Sequence, residues 1–355
     1  MDLKMKKIHQ LMDQYNLDGI LVTSFENRRY ATGFSGSNGL AYITEAGIEL
    51  WTDQRYEIQA EEQAPHCRID IAREPFQTFC SKKLRQLSGK RIGFESNSLT
   101  VSEFEFYREA VPEMHWHPLN DELLKIRAVK TAEEIETVHE AVRKADLAFS
   151  KLLPTIRTGV TEMELKVELE YLMAKEGHEG AAFGTIVAFG ERAALPHAVP
   201  TNRKLANGEF ALIDFGLNHA GYMSDMTRTI KYGTLGEDEN RIFDLTLKGL
   251  EASIAAVRPG MDVGDLDAVH RRMFKEAGVE QYSLRGLGHG VGLQIHENPR
   301  VVENGIGLLE EDMVFTIEPG LYFPGKFGVR IEDIVRVTAD GYEVLTGTPR
   351  EIRIG

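Results

Sequence analysis

The chain has 355 residues, which is enough for two domains with separate hydrophobic cores. Its 55 acidic and 41 basic residues give a net charge of −14, which argues against nucleic acid or an anionic membrane surface as a partner. Two cysteines cannot form a disulfide framework, and no apolar run approaches the length of a membrane span. Because Asp13, Asn16 and Asp18 interrupt any signal-like apolar core, we expect a cytoplasmic protein.

Residues 1–121 alternate between helix-like and strand-like segments, which predicts a small α/β domain. An amphipathic helix opens the chain. The later patterns predict strands at 19–23, 39–44, 48–52, 68–72 and 91–94, and helices at 53–64, 76–88 and 101–110. The boundary to a second domain, residues 122–355, falls within the stretch 118–130.

Helix start signals organise the second domain. Thr131 with Glu134, and Thr161 with Glu164, form capping boxes that satisfy the first free N–H groups of two helices. Further helices are predicted at 238–257 and 263–276, the latter capped by Asp262. We therefore expect an α+β domain in which helices cover one face of a curved, mainly antiparallel sheet.

A strand pair within residues 210–230 carries two carboxylates. Asp214 ends an apolar, β-prone run, turn residues follow, and Asp225 lies in a second strand-like run, residues 223–230. A charged, unpaired Asp in an apolar strand costs several kcal/mol, so something cationic should face it. Arg228 could answer one carboxylate, but two acids on facing strands indicate a site for a hard cation.

A second stretch, residues 314–337, repeats this plan. An apolar strand ends on Glu318, a Gly/Pro turn follows, and the next strand carries Glu332. The segments IDFGL and IEPGL share their acid, Gly and Leu positions, and the acids Asp214 and Glu318 lie 104 residues apart. This pattern indicates a faint internal duplication of an acid-bearing hairpin.

Between the two copies, the glycine-rich stretch GLGHGVGLQIHENP supplies His289 and His296. The glycines allow close approach of the backbone and leave His289 little local cover. Four carboxylates and one imidazole form an oxygen-rich ligand set for two cations, which suits Mn²⁺ or a related divalent ion better than a thiolate zinc site does.

These residues and their flanking motifs resemble a known family. The frames DFG…YMSDMTRT, GLGHGVGLQIHE, TIEPGLY and GVRIED resemble those of the Xaa-Pro metallopeptidases, the prolidases and aminopeptidases P of peptidase family M24. The resemblance covers residues 122–355, and NRRYATGFSGS and TDQRY extend it loosely to the first domain. It implies a creatinase/prolidase-like N-terminal domain, a C-terminal domain with the pita-bread fold, and the metal ligands Asp214, Asp225, His289, Glu318 and Glu332.

The resemblance also implies roles for other side chains. Glu318 would move a proton from the attacking water to the leaving proline nitrogen. His296 and His197 would assist catalysis at the carbonyl oxygen, and His197 would also bind substrate. Apart from the resemblance, Arg330 lies two residues before Glu332 on the same strand face, where it would hold a ligand carboxylate or the substrate, or form a structural ion pair. Arg285 stands where relatives usually carry His, and it would either clamp a substrate carboxylate, redirect the activity or form a surface ion pair.

The implied activity is hydrolysis of the Xaa-Pro bond of dipeptides or short peptides by a hydroxide that bridges two divalent metal ions, with Mn²⁺ favoured over Co²⁺ or Zn²⁺. The resemblance leaves dipeptidase and aminopeptidase open, and it implies a homodimer. It also leaves other classes to weigh. Methionine aminopeptidases share the five ligands but usually lack a first domain. Creatinase-like amidinohydrolases, which are other pita-bread hydrolases, and the non-catalytic peptidase-like domains of histone chaperones share both domains but have lost the ligands. A structural Ca²⁺ site would not explain His289.

We predict that Glu318→Ala and Asp225→Ala each abolish peptide turnover and leave the fold intact, because each removes one proposed metal ligand. Turnover on an Xaa-Pro dipeptide and the far-ultraviolet circular dichroism spectrum would be compared with those of the unsubstituted chain. Near-normal turnover in either variant would show that the site is wrongly assigned.

Overall fold

The computed structural model describes residues 3–177 and 179–355. The chain divides into two compact units, of which the first ends at Ile126 and the second is Arg127–Gly355. The domain boundary between residues 121 and 122 stays a prediction. Among the helices of the described ranges, none combines the length and apolar character that a membrane crossing requires.

The first unit contains a six-stranded mixed sheet. Its strands are β1 (Gly19–Val22), β2 (Leu40–Thr44), β3 (Gly47–Asp53), β4 (Arg68–Ala72), β5 (Arg91–Glu95) and β6 (His115–Leu119). They lie in the order β4-β3-β2-β1-β5-β6, with β2 antiparallel to both neighbours and the remaining pairs parallel. The helices of this part of the chain are α1 (Leu3–Tyr15), α2 (Phe25–Thr32), α3 (Glu57–Gln63), α4 (Phe76–Arg85) and α5 (Val101–Ala110), and α6 (Glu122–Ala128) follows.

Two elements of the first unit were not expected from the sequence. Helix α2 has little apolar periodicity, and it is held instead by buried polar groups. Asn27 donates to the carboxylate of Glu95, and Arg28 donates to the carbonyls of Gly36 and Gly39. Apolar and polar residues alternate only weakly along β6, and the pairing of this strand with β5 decides its conformation.

Four longer helices belong to the second unit: α7 (Ala132–Leu152), α8 (Glu162–Lys175), α9 (Glu237–Ala256) and α10 (Val263–Glu276). The capping boxes at Thr131 and Thr161 are both formed, and Asp262 caps α10 through the N–H groups of Gly264 and Asp265. Local side chain to backbone bonds thus start three of these helices where the sequence places them.

The strands of the second unit pair mainly in antiparallel fashion. They are β7 (Gly180–Ala181), β8 (Ile186–Phe189), β9 (Glu209–Phe215), β10 (Leu217–His219), β11 (Tyr222–Met223), β12 (Met226–Tyr232), β13 (Gly288–Gly290), β14 (Glu297–Val301), β15 (Val314–Ile317), β16 (Gly320–Phe323), β17 (Phe327–Arg330), β18 (Asp333–Thr338), β19 (Gly341–Val344) and β20 (Arg353–Ile354). One sheet has the order β20-β12-β9-β8, and another has β14-β13-β15-β18-β19. Strands β16 and β17 form a separate ribbon, and β11-β10-β7 a small third sheet.

Each large sheet packs on one pair of helices. Odd-numbered side chains of β9, such as Ile213 and Phe215, join Phe149 and Leu169 of α7 and α8 in one core. The second sheet contributes residues such as Phe315 to a core with side chains of α9 and α10. Because side chains of a strand alternate, Asp214 faces away from the helices, toward the interior of the curved sheets.

The acid-bearing stretches differ from two simple hairpins. Asp214 lies within β9 opposite Thr227, and Asp225 precedes β12. Glu318 follows β15, and Glu332 precedes β18. The ribbon β16-β17 occupies the stretch predicted as a turn. All four acids therefore lie at strand ends or beside them, where the chain leaves one sheet.

Candidate metal centre

One cavity of about 590 Å³ in the second unit is lined by all five predicted ligands. Asp214 and Asp225 reach it from the first large sheet, and His289, in the middle of β13, reaches it from the second. Glu318 and Glu332 enter from the chain beside β15 and β18. The fold thus brings together side chains that are up to 118 residues apart in the sequence.

The spacing of the ligand atoms is that of a metal site. One ligand atom each from Asp225, His289 and Glu332 lies within 4.8 Å of the others. The His289 Nε2 atom is 3.6 Å from Asp225 Oδ2 and 3.4 Å from Glu318 Oε1. These separations exceed ordinary hydrogen bonds, and a divalent cation about 2.0–2.2 Å from each ligand atom spans them.

The main chain orients His289. Its Nδ1 atom lies 3.2 Å from the Gly290 carbonyl, and its own N–H donates to Thr316 Oγ1 at 3.2 Å. A proton on Nδ1 leaves the Nε2 lone pair facing the carboxylates. Gly288 is required for this approach, because an added Cβ would lie 1.9 Å from the Thr316 carbonyl oxygen. Burial lowers the pKa of His289, which keeps the imidazole neutral and able to bind a metal.

The carboxylates cannot all ionise in this cavity without added positive charge. Burial, followed by the charges of neighbouring acids, raises the pKa of Asp225 and of Glu332 well above the ordinary range. Burial raises the pKa of Glu318 to about 7, and the charge of Arg330 opposes that shift. A set of acids that repel one another takes up either protons or metal cations.

Arg330 is the cation bonded to Asp214. Its guanidinium also donates to Thr227 Oγ1 at 3.0 Å and to Tyr322 Oη at 2.6 Å, and it contacts the Pro196 carbonyl. Of the roles expected for Arg330, this geometry favours holding a carboxylate. The expectation that Arg228 answers one of the acids is wrong: Thr227 is the residue opposite Asp214, so Arg228 points to the other face of the sheet and pairs with Asp333 at 2.7 Å.

The donors present suit divalent cations. Asp214 Oδ1 is buried and has no hydrogen-bond partner among the residues that the structure describes, which is costly unless a cation binds it. Thr227 Oγ1 donates to Glu332 Oε2 at 2.7 Å and orients that carboxylate. Four carboxylates and one imidazole provide mainly oxygen ligands, which fits Mn²⁺ or a similar ion.

A buried glutamate holds the loop that carries His197. Glu162, the first residue of α8, is fully buried and accepts bonds from Phe189 N–H at 3.0 Å and from Thr201 N–H and Oγ1 at 2.9 and 2.7 Å. Arg192 completes this group at 3.0 Å. The two ends of the loop are thereby fixed, while His197 itself is exposed and lines the cavity.

A second buried glutamate fixes the loop that carries His296. Glu297 accepts from Arg127 at 2.5 Å and from the Gln294 N–H at 2.9 Å, and Lys130 lies 3.4 Å away. Burial raises the pKa of Glu297, but the charges of Lys130 and Arg127 outweigh burial and lower it. His296 stands beside His289 with ring centroids 4.3 Å apart.

Two arginines border the same cavity. The Arg285 side chain is 89% exposed, and its Nε atom is 4.0 Å from Glu303. Arg300 was not singled out from the sequence, although it follows His296 closely in the stretch HENPR. Arg300 lies opposite His289 in the pairing of β13 with β14, and its charge contributes to lowering the pKa of both His289 and His296.

Comparison with known proteins establishes the family. The fold and the ligand set are those of a metal-dependent hydrolase, and residues 136–339 match the model of metallopeptidase family M24. Residues 4–129 match the creatinase/prolidase N-terminal domain. The chain belongs to metallopeptidase family M24 and is a peptidase. The resemblance found in the motifs and the expected two-domain pita-bread architecture are confirmed, and membership of the family implies divalent metal ions.

Relatives and solved structures match along the whole chain. An Xaa-Pro dipeptidase of Pyrococcus furiosus is 35% identical over 352 residues, covering 98% of this chain and 99% of that protein. The structure of an Xaa-Pro dipeptidase from Bacillus anthracis superposes with a TM-score of 0.95 at 36% identity, covering 99% of both chains. An X-Pro aminopeptidase from Thermotoga maritima superposes with a TM-score of 0.89 at 34% identity, covering 96% and 98%.

The raised pKa of Glu318 has a consequence for the metal-free protein. Its folded state holds this proton up to about pH 7, whereas the ordinary pKa is 4.5, so stability is lost as the pH rises through that window. We expect Glu318→Gln to stabilise the metal-free chain more at pH 8 than at pH 5, by an amount of the order of 1–3 kcal/mol.

The measurement is thermal unfolding in excess chelator at both pH values, with the exposed Glu311→Gln as the matched control. Because the variant is compared with the unsubstituted chain at each pH, the contributions of the buried histidines to the pH dependence of Tm cancel. An equal change of Tm at pH 5 and pH 8 would contradict the raised pKa.

Proposed function

We propose that this protein is a dinuclear metal hydrolase that cleaves the Xaa-Pro bond at the N-terminus of dipeptides or short peptides. The observation that carries the proposal is the convergence of Asp214, Asp225, His289, Glu318 and Glu332 on one cavity. The similarity to Xaa-Pro dipeptidases and to an X-Pro aminopeptidase supports the substrate class.

The five residues would hold two divalent ions, with Mn²⁺ preferred and Co²⁺ or Zn²⁺ as alternatives. When bound, the ions supply an activated water as nucleophile and polarise the substrate carbonyl. Arg330 donates to Asp214 and Thr227 orients Glu332, so the positions of these two proposed ligands are set before any substrate enters.

Glu318 is the proposed proton carrier. Its carboxylate can accept a proton from the attacking water and release it to the leaving group. The leaving proline nitrogen needs that proton, because an unprotonated amine anion is a poor leaving group. Thr316 Oγ1 donates to Glu318 Oε1 at 3.3 Å and holds the carboxylate at the edge of the ligand group.

His197 and His296 are proposed to bind the carbonyl oxygen of the scissile bond. Burial, with the charge of His289 next in importance, lowers the pKa of His296 to about 4. His296 is therefore a neutral imidazole at pH 7 and can donate one hydrogen bond to the oxygen where negative charge develops. His197 lies on a loop held at both ends by Glu162, and it reaches the same cavity.

A cation at the cavity would bind the substrate carboxylate of a dipeptide. We propose Arg300 for this role because its charge acts on His289 and His296, and we keep Arg285 as the second candidate. The cavity of about 590 Å³ accommodates a dipeptide. The matched N-terminal domain disfavours a methionine aminopeptidase, and the full ligand set disfavours a non-catalytic peptide-binding protein. Cytoplasmic location and a homodimer stay predictions.

Three peptides test the function. We expect chelator-treated, Mn²⁺-reconstituted protein to cleave an Xaa-Pro dipeptide and to leave a Pro-free dipeptide intact, because the proposed substrate class is set by proline. An Xaa-Pro-Yaa tripeptide separates the two subclasses, since cleavage of the tripeptide indicates an aminopeptidase. Product release would be followed by chromatography. Binding of Mn²⁺ without cleavage of either proline peptide would refute the substrate assignment and leave the metal centre standing.

The carboxylate clamp is tested separately. We expect Arg300→Ala to raise KM for the dipeptide about 10- to 100-fold, which is the effect of losing a charge-assisted hydrogen bond, and to affect the tripeptide less. Arg285→Ala is the matched control, with a change in KM of less than about threefold, because its exposed side chain binds a carboxylate weakly. The reverse pattern would transfer the role to Arg285, and unchanged KM in both variants would remove the clamp.

A further inference from the structure

The proposed metal centre lies at the boundary between the sheet β20-β12-β9-β8 and the sheet β14-β13-β15-β18-β19, a boundary called the seam below. Asp214 and Asp225 belong to the sheet of β9 and β12, whereas Glu318 and Glu332 flank β15 and β18 of the other sheet. A shift of one sheet against the other by 1 Å would separate the ligands. The distance between the sheets at this seam therefore decides whether the ligands can share cations.

Main-chain bonds join the sheets at this seam. The Glu332 N–H donates to the Thr227 carbonyl at 3.1 Å, and Thr229 Oγ1 exchanges hydrogen bonds with the main chain of Arg330 at 2.8 and 3.1 Å. These bonds connect ligand-bearing segments directly. They form on the cavity side of β12, where Thr227 and Thr229 project.

Arg228 closes the seam from the opposite side of β12. This side chain is fully buried, and its Nη1 atom donates to the carbonyls of Thr227 at 2.9 Å and Glu332 at 2.5 Å. Its Nη2 atom pairs with Asp333 Oδ1 at 2.7 Å. One guanidinium thus binds the main chain of a ligand, Glu332, and the main chain of Thr227, two residues after the ligand Asp225.

A segment near residue 348 completes the bonding of Arg228. Its Nε donates to the Pro349 carbonyl at 3.0 Å, and Nη2 donates to the Thr348 carbonyl at 2.7 Å. The five N–H donors of the guanidinium therefore have five protein acceptors. Asp146 of α7 anchors the segment by accepting from Gly347 N–H at 2.7 Å and Thr348 N–H at 3.1 Å.

We propose that Arg228 is a positioning residue of the metal centre. Through its bonds to the main chain of Thr227 and Glu332, it fixes the distance between the ligand pair of the first sheet and the ligand pair beside the second. Residues 347–349 hold Arg228 from the other side. The inference rests on the metal ions of the proposed function. Arg228 has no donor left for substrate, so its effect reaches the reaction through the ligands. Its charge also faces away from the cavity, where Arg330 neutralises Asp214.

The test is Mn²⁺ affinity, measured by competition with a chelator on the full chain. We expect Arg228→Lys, which keeps the charge and loses the planar five-donor geometry, to weaken Mn²⁺ binding about 10- to 100-fold. Arg350→Ala is the matched control. Arg350 binds the other oxygen of Asp333 at 2.7 Å and touches neither Glu332 nor Thr227, so its loss should lower Tm and leave Mn²⁺ affinity within about threefold.

Unchanged affinity in Arg228→Lys, or an equal loss in Arg350→Ala, would overturn the proposal in favour of a general stabilising role. If Arg228→Lys does not fold, Asp146→Ala decides: weaker Mn²⁺ binding supports the outer anchor, and unchanged binding overturns it. A chain that binds no Mn²⁺ refutes the metal centre and this inference together. Mn²⁺ binding without Xaa-Pro cleavage refutes only the substrate assignment.

Discussion

Repulsion among buried carboxylates is the constraint on which this molecule depends. Asp214, Asp225, Glu318 and Glu332 line one cavity, and Arg330 is the guanidinium bonded to one of them. Burial, followed by the charges of neighbouring acids, raises the pKa of Asp225 and Glu332, so ionising these groups costs free energy in the metal-free arrangement. The rest of the second unit has to keep the four carboxylates in place around the cavity although they repel one another. Metal cations relieve this repulsion, and the relief contributes to the free energy of metal binding.

Different charged residues of the second unit hold the carboxylates in place in different ways. Arg330 supplies positive charge inside the cavity, whereas Arg228 is used as a rigid multiple donor behind it. Glu162 and Glu297 are both buried carboxylates, yet each binds N–H groups of a loop that carries a histidine. Their charge is satisfied locally, which leaves His197 and His296 free to face substrate. Buried charged residues therefore position loops and strands in this protein, as well as lining the proposed metal centre.

Local signals made much of the fold predictable. Helices α5 and α10 have the predicted bounds, because caps and apolar spacing act within a few residues. The five residues proposed as ligands could be predicted to share a site because each lies in its own short motif, and all five line one cavity. The sequence indicates Arg330 as a candidate for holding a ligand carboxylate. It cannot exclude Arg228 as the partner of Asp214, since the face on which Arg228 lies depends on the register of β9 and β12. The roles of Glu162 and Arg300 depend on partners distant in the chain. Neither residue is part of a periodic sequence pattern from which its role could be predicted.

The partners of Arg228 also bear on the order in which the chain assembles. Strand β12 pairs with β20, and the bonds from Arg228 to Thr348 and Pro349 span 120 and 121 residues. Contacts of such length close late in folding, because the entropy of a long loop is lost before they form. The helices α7 and α8 can pack on β8 and β9 earlier, so a partly folded chain would display isolated acids without a finished coordination geometry. High-affinity metal binding would then come only with the closing of the last sheet.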